Sequence, residues 1–222
     1  MKISSAFLTV IACVALTACS SDPKTPDWQL EAKGSTDRAV AAYLEGNTRV
    51  EGVEFTRARN EISATGNIDL MARAELLRCA TRVASLVFEP CTGFEKLRQD
   101  AAPAERAYAD YLMGTLSPQG AALLPESQRS PGADAEPLSK LVAAGARFRA
   151  GNASPALIQQ AVDTASAQGW RRPLLAWLGV QASLAEKAGD VQEAARLKRR
   201  MVLTANEVKP VVAPTPRPES AR

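Results

Sequence analysis

Glycine followed by asparagine or aspartate recurs along this chain, at Gly46-Asn47, Gly66-Asn67, Gly151-Asn152 and Gly189-Asp190. The segments between these pairs are rich in Ala, Leu, Arg, Glu and Gln, all good helix formers. Glycine ends a helix where the backbone must turn left-handed, and an Asn or Asp beside it accepts a bond from the first N–H groups of the next helix. Val and Ile are dispersed and aromatic residues make up only 5% of the chain, so strand signals are scarce. The expected fold is all-α, either an antiparallel helical bundle or a short helical array.

Caps and breakers place the helices. Ser35-Thr36-Asp37 opens one that runs to Gly46-Asn47, and a second covers residues 48–64. Asn67 caps a third, in which Leu70, Ala74, Leu77, Thr81 and Ala84 repeat at helical spacing toward a core. Met71, Leu76, Ala80 and Val83 widen that stripe, so this helix should be well buried. A fourth spans 102–113 with Pro103 in its first turn. Gly114, Pro118, Gly120, Pro125, Pro131 and Gly132 then break the pattern, which makes 114–135 a loop with one short turn at 121–124. Further helices are expected over 136–150, 154–168, 170–188 and 191–204. Beyond them, Pro210, Pro214, Pro216 and Pro218 make 206–222 a proline-rich, extended tail. The chain thus divides into an N-terminal helical half (35–113), a seam (114–135) and C-terminal hairpins (136–205).

The stretch LAWLGVQASLAEKAGDVQEAARLKRRMVL resembles a tetratricopeptide-type hairpin, with Gly189-Asp190 at the turn and Ala194 where the second helix approaches the first. An echo lies 38 residues upstream, with Ala144, Gly151-Asn152 and Ala156 in matching places. The tetratricopeptide period is about 34 residues and several consensus positions are absent, so a non-repeating bundle stands beside a true array.

The N-terminus fixes the compartment. Met1-Lys2 precedes an apolar run from Ala6 to Ala18, too short to span a bilayer and shaped as a secretory signal. It ends in Leu16-Thr17-Ala18-Cys19, which resembles the lipobox of bacterial lipoproteins. The resemblance implies diacylation of the Cys19 thiol, cleavage before Cys19 and acylation of the new amino group. An ordinary signal peptide cleaved after Ala18 is the alternative, but a Cys directly behind the small residues favours lipidation. Several acyl chains give permanent attachment to a membrane. Ser20 follows Cys19, and by analogy with enterobacterial sorting this favours the outer membrane, facing the periplasm. Residues 19–34 then read as the lipidated Cys and a spacer, with Asp22, Pro23 and Pro26 keeping its start polar and extended.

Without residues 1–18 the chain loses one of its 27 basic residues and none of its 24 acidic ones. That near-neutral balance, in an exported protein, argues against nucleic acid as a partner. The charge is uneven: 19–131 carries 13 basic and 16 acidic residues, while 132–222 carries 13 and 8. In an oxidising compartment, Cys79 and Cys91 are expected to form a disulfide, since Pro90 stops the helix and the short return segment spans the distance. Closing so short a loop stabilises by about 3 kcal/mol in the chain-entropy picture.

Signals for catalysis are sparse. The chain has no histidine, which removes Ser-His-Asp and Cys-His chemistry, HExxH zinc sites and imidazole ligation. Phosphate-cradling glycine loops and the GxSxG elbow are absent, and neither a metal nor a cofactor is expected. One SxxK match, Ser21 to Lys24, contains Pro23 and lies in the spacer, where no pocket can tune a lysine. Asp100, Glu105 and Asp110 form the closest group of carboxylates, and a wall-degrading enzyme needs only two.

Two patches are candidate partner-binding surfaces. GWRRPLLAW sets Trp170 beside Arg171 and Arg172, typical interface residues, although Trp177 seven residues on also fits a core stripe. RLKRR supplies Arg196, Lys198, Arg199 and Arg200, which complement a helix C-terminus and could also meet anionic headgroups or an acidic partner. The sequence therefore points to a non-enzymatic, lipid-anchored envelope protein that docks a periplasmic or membrane protein. A carboxylate-dependent cell-wall enzyme and a structural or stress lipoprotein without a fixed partner are the alternatives.

Overall fold

The computed structural model describes residues 25–129, 132 and 134–205. The signal segment, Cys19 and the tail 206–222 lie outside the described residues. Among those described, the regular structure is α-helical and no strand occurs. The helices are α1 (Asp27–Glu45), α2 (Thr48–Ser63), α3 (Ile68–Ala84), the one-turn α4 (Thr92–Glu95), α5 (Pro103–Met113), the short α6 (Pro118–Ala121) and α7 (Glu126–Arg129), then α8 (Pro137–Arg149), α9 (Pro155–Ala167), α10 (Arg171–Lys187) and α11 (Val191–Ala205).

Local chemistry sets most of these ends. The side chains of Asn47 and Asn67 accept from the N–H groups of Val50 at 3.1 Å and Leu70 at 3.0 Å, and Ser154 accepts from Leu157 at 3.2 Å. Proline occupies the first turn of α5, α6, α8 and α9, where its missing N–H is harmless. At the far ends, Gly189 adopts φ +74° so that its N–H reaches Glu186 at 3.0 Å while Asp190 N–H reaches Ala185 at 2.9 Å. The same pair of bonds closes α8 at Gly151-Asn152, with lengths of 3.0 and 2.9 Å. Leu86 makes this turn after α3 without being glycine, at φ 59°, and its side chain packs against the main core.

Helix α1 begins at Asp27, eight residues before Ser35, so residues 27–34 of the expected spacer are helical. Its first turns offer apolar contacts that local propensity does not register: Trp28 and Ala32 pack with Phe55, Ile62 and Ala74 in a satellite core between α1, α2 and α3. Pro26 sits where the helix starts, and Gly34 is carried inside it. The seam 114–135 likewise holds two short helices, α6 and α7, in place of a single turn at 121–124.

The seam does not separate two cores. One hydrophobic cluster runs from α3 (Leu76, Ala80, Val83) through α5 (Leu112), α8 (Leu141, Val142) and α9 (Val162) to α10 (Trp177, Leu178) and α11 (Leu197). A large apolar side chain buried there contributes about 1.5–3 kcal/mol. Close contacts around this cluster join the halves. Trp177, fully buried, donates its indole N–H to the Ala84 carbonyl at the end of α3, 3.1 Å away. Arg149 donates to the Leu112 carbonyl at 3.1 Å. Gly145 lets α8 lie directly on α3, because a Cβ there would collide with the Val83 carbonyl. Helix α3 is the hub of the fold, touching α1, α2, α4, α5 and α8.

Cys79 of α3 and Cys91, just before α4, form a disulfide with Cα atoms 5.6 Å apart. The hairpins α8–α9 and α10–α11 share the geometry of their glycine turns but not their packing. Ala194 is buried against α10, whereas Ala156, its counterpart in the echo, is exposed.

Candidate docking groove

Helix α3 carries more apolar residues than its neighbours cover. Leu76, Ala80 and Val83 enter the main core and Ala74 the satellite core, while Leu70 and Leu77 remain half-buried on its outer side. Leu70 and Leu77 are seven residues apart, which puts them on one helical face about 10 Å apart.

Two adjoining depressions open over that face and share Arg73 and Leu77. One, of about 330 Å³, lies between the start of α1 and α3 and is walled by Trp28, Ala32, Ile62, Leu70 and Ala74. The other, of about 290 Å³, lies between α3 and α5 under the α6–α7 segment and is walled by Leu76, Ala104, Tyr108, Leu123 and Pro125. Leu123 contributes an exposed side chain to its rim. Together they form an apolar trough with an aromatic ring at either end.

Charges of both signs border the trough. Arg73 crosses its middle and binds Glu105 of α5 at 2.8 Å. Glu105 is itself buried, and its bond to Arg73 raises the affinity of that guanidinium for its proton. Lys33 and Asp37 pair at 2.5 Å along the α1 edge. Tyr108 stacks on Tyr111 with ring centroids 6.0 Å apart, and burial holds its phenol protonated well above the usual range. The trough thus presents apolar walls to solvent, with one ion pair across its middle and another along the α1 edge.

A larger depression of about 510 Å³ lies between α8 and α9, lined by Lys140, Arg147, Leu157, Gln160 and Thr164 among others. Gly132 also borders it, and residues 130, 131 and 133 on either side lie outside the described residues. Its lining mixes charged, polar and apolar groups without a continuous apolar floor.

The residues singled out from sequence fall elsewhere. Trp177 is core, and Trp170 is half-buried against the same cluster at the N-terminus of α10. Arg171 is half-buried in the first turn of α10. Arg172 is committed internally: it donates to the Tyr43 carbonyl at 2.7 Å and to Thr48 Oγ1 at 2.8 Å. In α11, Arg196 grips Glu193 through two bonds of 2.6 Å, Lys198 pairs with Glu186 at 2.5 Å, and Arg200 donates to Ser166 at 3.2 Å. Arg199 is exposed.

The three carboxylates are not gathered into one cleft. Glu105 serves Arg73, Asp110 serves Arg98 at 2.9 Å, and Asp100 is exposed in the turn before α5. Sequence reasoning missed the trough; its signal was the excess width of the α3 stripe.

Among the described residues, no helix is long and apolar enough to cross a membrane, and no group of three or more His, Cys, Asp or Glu is placed to hold a metal ion. No protein-family model matches the chain, and neither a curated protein nor a solved structure matches it.

Proposed function

We propose that this chain is a bacterial envelope lipoprotein, anchored through Cys19 to the periplasmic side of the outer membrane, whose helical domain is a non-enzymatic docking module. The observation that carries the docking reading is the apolar trough over α3, open to solvent, crossed at its middle by the ion pair Arg73–Glu105 and edged by Lys33–Asp37. Its dimensions and chemistry suit an amphipathic helix of a periplasmic or membrane protein, laid with its apolar face down and charges of both signs along its edges. A contiguous apolar surface of this kind marks interaction sites on soluble domains. The lipobox Leu16-Thr17-Ala18-Cys19 supports the anchoring, and the acids of this region support binding over hydrolysis because each bordering carboxylate is held by a cation.

The test is a photocrosslinking residue placed at Leu77, in the trough, or at Leu184, exposed on α10, in otherwise native lipidated protein. A discrete adduct from position 77 that maps to an amphipathic helix of the partner, absent from position 184 and lost with Tyr108→Asp, supports the reading. Equal adducts from both positions, or none from position 77, overturn it. In Cys19→Ala, release of the protein from the membrane fraction and loss of labelling by a fatty-acid probe are expected; retention with undiminished labelling overturns the anchor.

A further inference from the structure

Helix α11 closes the array with only one side covered. Ala194, Leu197 and Met201 pack inward on α10, and nothing among the described residues covers the opposite side. That outer arc carries Arg196, Arg199, Val202 and Leu203 at spacings of three and four residues, which brings them onto one face. Val202 is 60% and Leu203 75% exposed. The helix as a whole holds four basic residues and one acid, Glu193, and that acid is consumed by Arg196. Lys198, on one shoulder of the arc, is paired with Glu186 of α10, while among the described residues Arg199 makes no ion pair and stands beside the exposed aliphatics.

We propose that this face of α11 lies on an anionic lipid surface. A convex helix flank presenting aliphatic side chains between cations, without an aromatic residue or a hollow to seat a partner side chain, matches the headgroup region of a membrane: the cations meet phosphates and the aliphatics enter the acyl boundary. The apolar pair gives a reason for leaving Val202 and Leu203 in water in the isolated domain, which helix-dipole compensation by the arginines does not. The inference stands apart from the trough, which lies on α3, and from lipidation, because it concerns the folded surface alone.

The experiment uses the mature chain from position 19 onward bearing Cys19→Ala, so that neither the apolar signal run nor an acyl chain contributes, sedimented with vesicles of phosphatidylglycerol and phosphatidylcholine or of phosphatidylcholine alone. Binding is expected to the anionic vesicles only and to fall as salt rises. Loss of one arginine contact should lower partitioning about fivefold. Arg199→Glu combined with Leu203→Asp should therefore abolish it while the thermal melt is unchanged, since both side chains are exposed. Arg57→Glu, the same charge change on exposed α2, should leave it intact. Equal binding to both vesicle types, no binding, or equal loss with Arg57→Glu overturns the proposal.

Discussion

Arg172 and Tyr43, separated by 129 residues in sequence, are joined twice: the Arg172 Nε–H donates to the Tyr43 carbonyl at 2.7 Å, and the guanidinium lies 4.3 Å from the centroid of the Tyr43 ring. Arg82 of α3 lies over the same ring, also at 4.3 Å. Tyr43 sits in the last turn of α1, where its carbonyl already accepts the Gly46 N–H at 3.0 Å, and Arg172 adds a second, charged donor from outside the helix. The first turn of α10 is thereby clamped to the α1–α2 turn.

Arg172→Ala should lower the stability of the domain by about 2 kcal/mol, combining a charged hydrogen bond to a carbonyl with a partly exposed cation–π contact. Arg172→Lys should recover less than half of that, because a single ammonium cannot reproduce the planar fork that reaches both the Tyr43 carbonyl and Thr48. Urea denaturation of the three proteins checks this; equal stability would mean the clamp contributes nothing.

Glu51 poses the acid-side test. It is only 2% exposed and receives Arg78 at 2.7 Å and Arg82 at 3.0 Å. Burial opposes its ionisation, but the bonds from Arg78 and Arg82 outweigh burial and hold the carboxyl below its ordinary value of 4.5. A depressed folded value stabilises the fold fully above that ordinary value and loses the contribution as pH falls through the folded one. Stability should therefore decline below about pH 4.5. Glu51→Gln, which leaves Arg78 facing a neutral amide and Arg82 with Glu89 at 3.5 Å, should cost about 1.5–3 kcal/mol at neutral pH and flatten the acid limb. Denaturant midpoints measured across pH for both proteins decide it.

Where local chemistry alone sets a feature, the sequence was readable. Asn47, Asn67 and the Gly-Asp turn at 189–190 act within a few residues of themselves, and the helix ends beside them follow. The disulfide was legible for a similar reason, since Pro90 and a short return segment govern its closure. The early start of α1 was not, because Trp28 and Ala32 are helical by virtue of residues on α2 and α3 far along the chain. The trough was hidden more deeply. Leu70 and Leu77 share the spacing of Leu76 and Val83, and a hydrophobic period tells which side of a helix is apolar, not what lies opposite. Arg172 shows the converse, an arginine beside a tryptophan that reads as an interface and serves an internal turn.

Gly145 offers a test of the α3–α8 crossing in which two effects have opposite signs. In an exposed helix, Gly→Ala stabilises by about 1 kcal/mol through propensity. Here the added methyl would meet the Val83 carbonyl, and backbone cannot swing aside as a flexible side chain can. The steric term should win, so Gly145→Ala should destabilise by about 1–3 kcal/mol and Gly145→Val by more. Gly52→Ala, where nothing lies near the new carbon, should give the propensity gain instead. Thermal melts of the pair separate the outcomes, and a stabilised Gly145→Ala would mean that the helices do not cross this closely.

At the alkaline end the tyrosines set the limit. Burial pushes the Tyr111 phenol up from 10.0 to about 12, against a smaller opposing effect of Arg147, and burial raises Tyr108 and Tyr43 as well. Between those two values an unfolded chain has released its tyrosine protons while the folded one retains them. The folded state then binds more protons, so its stability falls as pH rises; the contribution is whole below pH 10 and is spent as pH passes the folded values. Unfolding midpoints should drop steeply above pH 10, with tyrosinate absorbance appearing together with loss of helix rather than before it. Tyr111→Phe removes one titrating phenol and keeps the ring stacked on Tyr108, so the alkaline slope should become shallower while stability at neutral pH changes little. An unchanged slope in Tyr111→Phe, or tyrosinate forming in a fully helical protein near pH 10, would show that these phenols are open to water and that the α5 face is looser than its packing indicates.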